Sequence, residues 1–129
     1  MGLPSARSRV DKLGVKGGQR VSVTGLDDAA FATELADRTD RVHVGRIVKG
    51  SGLIVLGVTT RRDLGRLEVA LRSLDRDGAV WVVWPKGRRE LTEDHIRAAA
   101  LEAGLVDVKV MAFSTALSAL KLVIPVAKR

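Results

Sequence analysis

Leu53-Ile54-Val55-Leu56-Gly57-Val58 is an almost unbroken aliphatic run set between Gly52 and Thr59. A strand with one wet face alternates apolar and polar side chains, whereas a strand buried on both faces of a parallel sheet reads as a continuous apolar run. The run therefore predicts a central strand, and the segments on either side carry the alternation of strand and helix that parallel pairing requires. Downstream, Thr60 and Asp63 form a capping-box-like pair, and Leu64, Leu67, Leu71 and Leu74 recur at helical spacing up to Asp77-Gly78. Ala79 to Trp84 is the next strand, stopped by Pro85, which has no N–H for a ladder. Thr92 caps a further helix with Glu93 and Asp94 in its first turn. Ile96, Ala99, Ala100 and Ala103 supply its apolar face, and Gly104 stands at a left-handed C-cap. Val106 to Met111 and Leu120 to Ile124 complete the strands.

Upstream, the turn Lys16-Gly17-Gly18 leads into a strand over Arg20 to Thr24. A helix follows from about Asp28 to Arg38, capped by Asp27 or Asp28, with Phe31, Leu35 and the alanines inward. A short strand lies near Val42 to Val44. Residues 1–12 are polar, basic and without an apolar period, and read as a flexible basic arm; residues 13–129 read as a single domain. The expected order of the first four strands across the sheet is 2-1-3-4.

With 129 residues and 46% hydrophobic composition the chain can bury one core. No apolar run approaches the roughly 20 residues of a membrane span, and the start lacks the layout of a secretion signal, so a cytoplasmic protein with no membrane partner is expected. The absence of cysteine removes disulfides and thiolate sites, and His43 and His95 alone are a poor ligand set, so no metal is expected. The net charge is +7. Residues 1–20 hold five Lys/Arg against one Asp, and residues 61–90 hold eight against five Asp/Glu. Such a balance favours anionic partners: a phosphate-bearing small molecule or an acidic protein surface. Nucleic acid is not favoured, because Phe and Trp make up only 3% of the chain and supply few stacking platforms.

Two sets of residues carry a family resemblance. Asp63 through Val123, with the Leu74-x-x-x-Gly78 turn, a buried strand, a helix ending in Ala103-Gly104 and a terminal strand pair, resembles the C-terminal half of a Rossmann-type methyltransferase domain. Leu13-Gly14-Val15-Lys16, Trp81-Val82-Val83-Trp84-Pro85-Lys86, Leu91-Thr92-Glu93 and Ala103-Gly104-Leu105-Val106-Asp107-Val108-Lys109-Val110 are similar to a bacterial family of unknown function, domain of unknown function 3052. The resemblance implies a truncated, three-layer α/β Rossmann-like sheet, mainly parallel, with an antiparallel C-terminal strand beside strand four. That family's acidic pair followed by Trp-Ser-Gly is replaced here by Ser114-Thr115 and Leu117-Ser118-Ala119, so a function carried by that element does not transfer.

A dinucleotide or S-adenosylmethionine site needs a glycine-rich turn after strand one and an acidic ribose partner at the end of strand two. Thr24-Gly25-Leu26-Asp27-Asp28 offers one glycine and two carboxylates, and Gly45-Arg46 stands where the acid should be. No cofactor and no catalytic residue is therefore expected. The crevice beyond the strand C-termini gathers Gly25, Thr59, Thr60 and Trp84, with Arg61, Arg62, Lys86, Arg88 and Arg89 crowding the same edge. These form the candidate ligand site, in which the amides of Thr60 to Arg62 meet a phosphate. The bland alternative is a solvated surface. Trp81 and Trp84, three apart, face opposite sides of the sheet. His95 reads as a capping-region histidine in preference to a general base. The functional expectation is a non-catalytic binding or regulatory module for an anionic small ligand or a protein. The alternatives are a nucleotide- or S-adenosylmethionine-dependent transferase with an unconventional site, and an RNA-associated basic protein.

Overall fold

The computed structural model describes residues 8–129. Six strands form one sheet: β1 (Val21–Thr24), β2 (Val42–Val44), β3 (Ser51–Gly57), β4 (Leu74–Pro85), β5 (Val106–Ala112) and β6 (Leu117–Val123), in the spatial order β2-β1-β3-β4-β6-β5. The first four run parallel; β6 is antiparallel to both β4 and β5. The expected 2-1-3-4 order and the antiparallel C-terminal strand beside strand four are both present. Helices α1 (Arg9–Leu13) and α2 (Ala29–Arg38) cover one face, and α3 (Leu67–Ser73) and α4 (Glu93–Ala103) the other, giving three layers.

The aliphatic run is central because it supplies both cores. Ile54 and Leu56 pack with Val80, Val82 and Trp84 under α3 and α4, while Leu53 and Val55 pack with Trp81 and Val83 under α1 and α2. Period-two alternation along β4 sends Trp81 and Trp84 to opposite faces. Trp81 is fully buried, and its Nε1 donates to the Leu13 carbonyl 2.9 Å away. The Leu13-Gly14-Val15-Lys16 and Trp81-Val82-Val83-Trp84-Pro85-Lys86 segments are thus joined across 68 residues.

Two expectations need correction. Residues 1–7 of the expected arm lie outside the described residues, but 9–12 belong to α1, capped by Ser8 and closed by Gly14. Val10 and Leu13 are buried. Arg9 bonds both Glu34 oxygens at 3.1 and 2.6 Å and Asp28 at 3.1 Å. Its guanidinium also lies 4.7 Å from the Phe113 ring centre. A five-residue helix with two apolar positions has no readable period; it is held by these distant partners.

The leucine series does not form one helix to Gly78. A 3-10 helix spans Arg61–Arg66, α3 ends at Ser73, and Leu74 is already extended and paired with Ser51. Between the pairs Ser51–Leu74 and Leu53–Ala79, two steps along β3 answer five along β4, so Asp75-Arg76-Asp77 loops out from the start of the strand. Leucine spacing alone does not distinguish a last helical turn from a first strand residue. The Thr92 cap is as expected, with His95 Nδ1 accepting from the Thr92 amide at 3.0 Å, and Gly104 takes the left-handed C-cap at φ 94°.

Candidate functional site

In this sheet the chain leaves β1 for β2 on one side and later crosses to β3 on the other. The switch point therefore lies between the C-termini of β1 and β3. Gly25 follows β1 at φ 78°, and Gly57 ends β3. The two backbones are in direct contact: a Cβ on Gly25 would collide with the Gly57 carbonyl oxygen, and a Cβ on Gly57 with that of Gly25. The same Gly57 Cβ would lie 2.9 Å from Leu26 Cγ. Glycine at both positions lets the two backbones lie this close.

The flanking helix starts are also filled from within the chain. Asp28 caps α2, accepting from the Phe31 amide at 2.9 Å while its other oxygen meets Arg9. The Phe31 bond, helped by Arg9, holds the Asp28 carboxyl below its usual range despite partial burial. Beyond β3, Asp63 Oδ2 accepts from the amides of Thr59 at 2.9 Å and Thr60 at 3.1 Å. These bonds, that of Thr59 first, lower its pKa. Of the Thr60 to Arg62 amides expected to meet a phosphate, that of Thr60 already has a carboxylate. After β2, Gly45 donates to the Val23 carbonyl at 2.7 Å, and no acidic side chain stands at Val44-Gly45-Arg46.

The expected site residues are only partly brought together. Arg88 Nη1 donates to the Thr59 carbonyl at 3.1 Å, so the loop after β4 does reach the end of β3. Thr59, Thr60, Arg61, Arg62, Lys86, Arg88 and Arg89 are all exposed. None of the five cations forms an ion pair among the described residues. Arg61 borders a shallow groove with Leu64, Gly65, Ala99 and Glu102, against α4. Trp84, only 5% exposed, belongs to the core beneath α3 and α4 and does not line the crevice. What the carboxyl edge presents is a rim of exposed cations beside the Gly25–Gly57 contact.

A cavity of about 400 Å³ opens at the opposite edge, where the strands begin. Lys16, Arg20 and Arg41 line it before β1 and β2, and Asp75 and Asp77 before the regular part of β4. No local pattern signals it, because the outward loop that carries the two aspartates reads as the end of a helix.

No family model and no curated protein matches the chain, so the likeness to domain of unknown function 3052 rests on the segments quoted above. Solved structures do match. A ribosomal protein L11 methylase from Lactobacillus delbrueckii subsp. bulgaricus superposes with a TM-score of 0.69 at 14% identity, over 88% of this chain and 73% of that one. A SAM-dependent methyltransferase from Aquifex aeolicus gives 0.66 at 11% identity, over 88% and 86%. A SAM-dependent O-methyltransferase from Thermotoga maritima gives 0.66 at 14%, over 89% and 63%. The chain therefore has the three-layer α/β Rossmann-like fold of the methyltransferases.

Proposed function

We propose that this domain is a non-catalytic binding module built on a methyltransferase fold, engaging an anionic partner through the cationic rim of its carboxyl edge. The observation that carries the reading is the close contact between the Gly25 and Gly57 backbones at the switch point, where a nucleoside site would need a glycine-rich turn open to the ligand. Asp28 and Asp63 support it, since each neutralises a helix start from within the chain. The rim cations Arg61, Arg62, Lys86, Arg88 and Arg89 are exposed and unpaired among the described residues, which suits an extended acidic surface better than an enclosed ligand.

A second reading has its own support. The matching solved structures named above are methyltransferases, two of them SAM-dependent, and that likeness by itself favours a SAM-dependent transferase over a non-catalytic module. Titration with S-adenosylmethionine separates the two. The binding-module reading expects no saturable heat and no amide shift at Gly25, Gly57 or Thr59. Micromolar affinity with shifts at those residues would replace it by the transferase reading.

A further inference from the structure

The cavity at the amino edge lies opposite the rim proposed above and stands or falls independently of it. Its charges are segregated by strand. Going across the sheet from β2 through β1 and β3 to β4, Arg41 stands before β2, Lys16 and Arg20 before β1, and Asp75 and Asp77 on the loop before the regular part of β4. Neighbouring strands are roughly 4.8 Å apart, so the backbones that carry the cationic and acidic sides are about 10 Å apart at the level of β1 and β4. No ion pair links the two sets among the described residues.

Between them the floor is backbone. A Cβ on Gly50 would lie 3.0 Å from Arg20 Nη1, and one on Gly52 would lie 2.8 Å from Gln19 Nε2, so these side chains rest on bare glycines at the entry to β3. Arg20 is only partly satisfied. Nη1 donates to the Lys49 carbonyl at 2.9 Å, while Nε is buried without an acceptor. A buried donor without a partner is an unfavourable arrangement, and a small shift of the guanidinium toward an incoming oxyanion would relieve it.

From this geometry we infer that the amino-edge cavity binds a small zwitterion of the free amino acid class. Its carboxylate faces Lys16, Arg20 and Arg41, and its ammonium faces Asp75 and Asp77. A lone anion would leave the two carboxylates uncompensated and a lone cation would leave three cations so; a zwitterion spanning the glycine floor satisfies both sides. The volume, about 400 Å³, accommodates such a molecule.

The test uses the full chain labelled with 15N. Each protein L-amino acid is added in turn at millimolar concentration, and the tightest binder is compared with its N-acetyl and α-amide derivatives and with inorganic phosphate. The expected result is saturable shifts at Gly18, Gly50, Gly52 and Gly78 for at least one amino acid, with each derivative weaker by roughly tenfold or more, since each lacks one charge. Asp77→Asn should reduce the discrimination against the N-acetyl form, and Arg41→Gln that against the amide. Both residues are exposed, so both variants should keep the fold. Absence of shifts with every amino acid would overturn the inference, as would phosphate binding as tightly as the amino acid or discrimination unchanged in both variants.

Discussion

Replacing Arg9 by Gln tests whether the N-terminal helix is an integral part of the domain. Arg9 is 18% exposed and pairs with Glu34 and Asp28, which are 33% and 26% exposed. Exposed pairs contribute about 0.2–1 kcal/mol, and net hydrogen bonds to charged groups about 1.5–3 kcal/mol. Half-burial places the Glu34 and Asp28 interactions between these limits, at about 1–2 kcal/mol together. The contacts with the Phe113 and Phe31 rings, at 4.7 and 5.2 Å, add roughly 0.5–1 kcal/mol. The variant should therefore lose about 1.5–3 kcal/mol. For a chain of this length a melting entropy near 2.1 cal/mol/K per residue converts each kcal/mol into about 4 °C, so Tm should fall by roughly 6–12 °C. Calorimetry measures it, and a double-mutant cycle with Glu34→Gln should recover about 1 kcal/mol of coupling. A fall below about 2 °C, with unchanged hydrogen exchange over 9–13, would refute the claim that these contacts hold the helix.

Three further outcomes follow from single contacts. Trp81→Phe removes the donor to the buried Leu13 carbonyl and should cost about 1–3 kcal/mol in urea unfolding; a smaller change would mean that the carbonyl finds another partner. Asp63→Ala should cost about 0.5–2 kcal/mol near neutral pH through loss of the capping box. Because the folded pKa of Asp63 is lowered, its stabilisation is present above the unfolded carboxylate pKa and disappears as pH falls through the folded value. The gap between wild type and variant should thus close in strong acid, and a gap independent of pH would contradict the assignment. Gly25→Ala, forced to positive φ and into the Gly57 carbonyl, should cost about 2–4 kcal/mol, read as a fall in Tm; a neutral outcome would show that the switch point can open.

What could be read from the sequence was what local pattern encodes. The run at Leu53 needs both its faces covered wherever it lies, and Thr92 and Gly104 mark helix ends by their own side-chain and backbone chemistry. The arm, the start of β4 and the sites were harder for a common reason. Val10 and Leu13 become core residues only because Trp81 and α2 come to meet them, and Leu74 is a strand residue only because Ser51 is beside it. The cations of the carboxyl edge were legible as composition. The closure beneath them was not, although a glycine at the end of each of two adjacent strands was its one trace. Asp75 and Asp77 gave no hint of a cavity, since the extra residues that push them outward are defined only by their register against β3.

The position of β6 bears on how the domain is made. It follows β5 in the chain yet lies between β4 and β5, so neither of those strands can be bonded on its facing edge until residues 117–123 have emerged from the ribosome. During synthesis the most apolar stretch of β4, from Ala79 to Trp84, has one flank bare, and β5, with Val108 and Val110 exposed even in the finished fold, has no neighbour at all. An open apolar strand edge is a template for pairing with another chain. Nascent chains stalled before Leu117 should therefore associate with one another or be held by chaperones, and a stop codon just before Leu117 should be as damaging to solubility as one before β4.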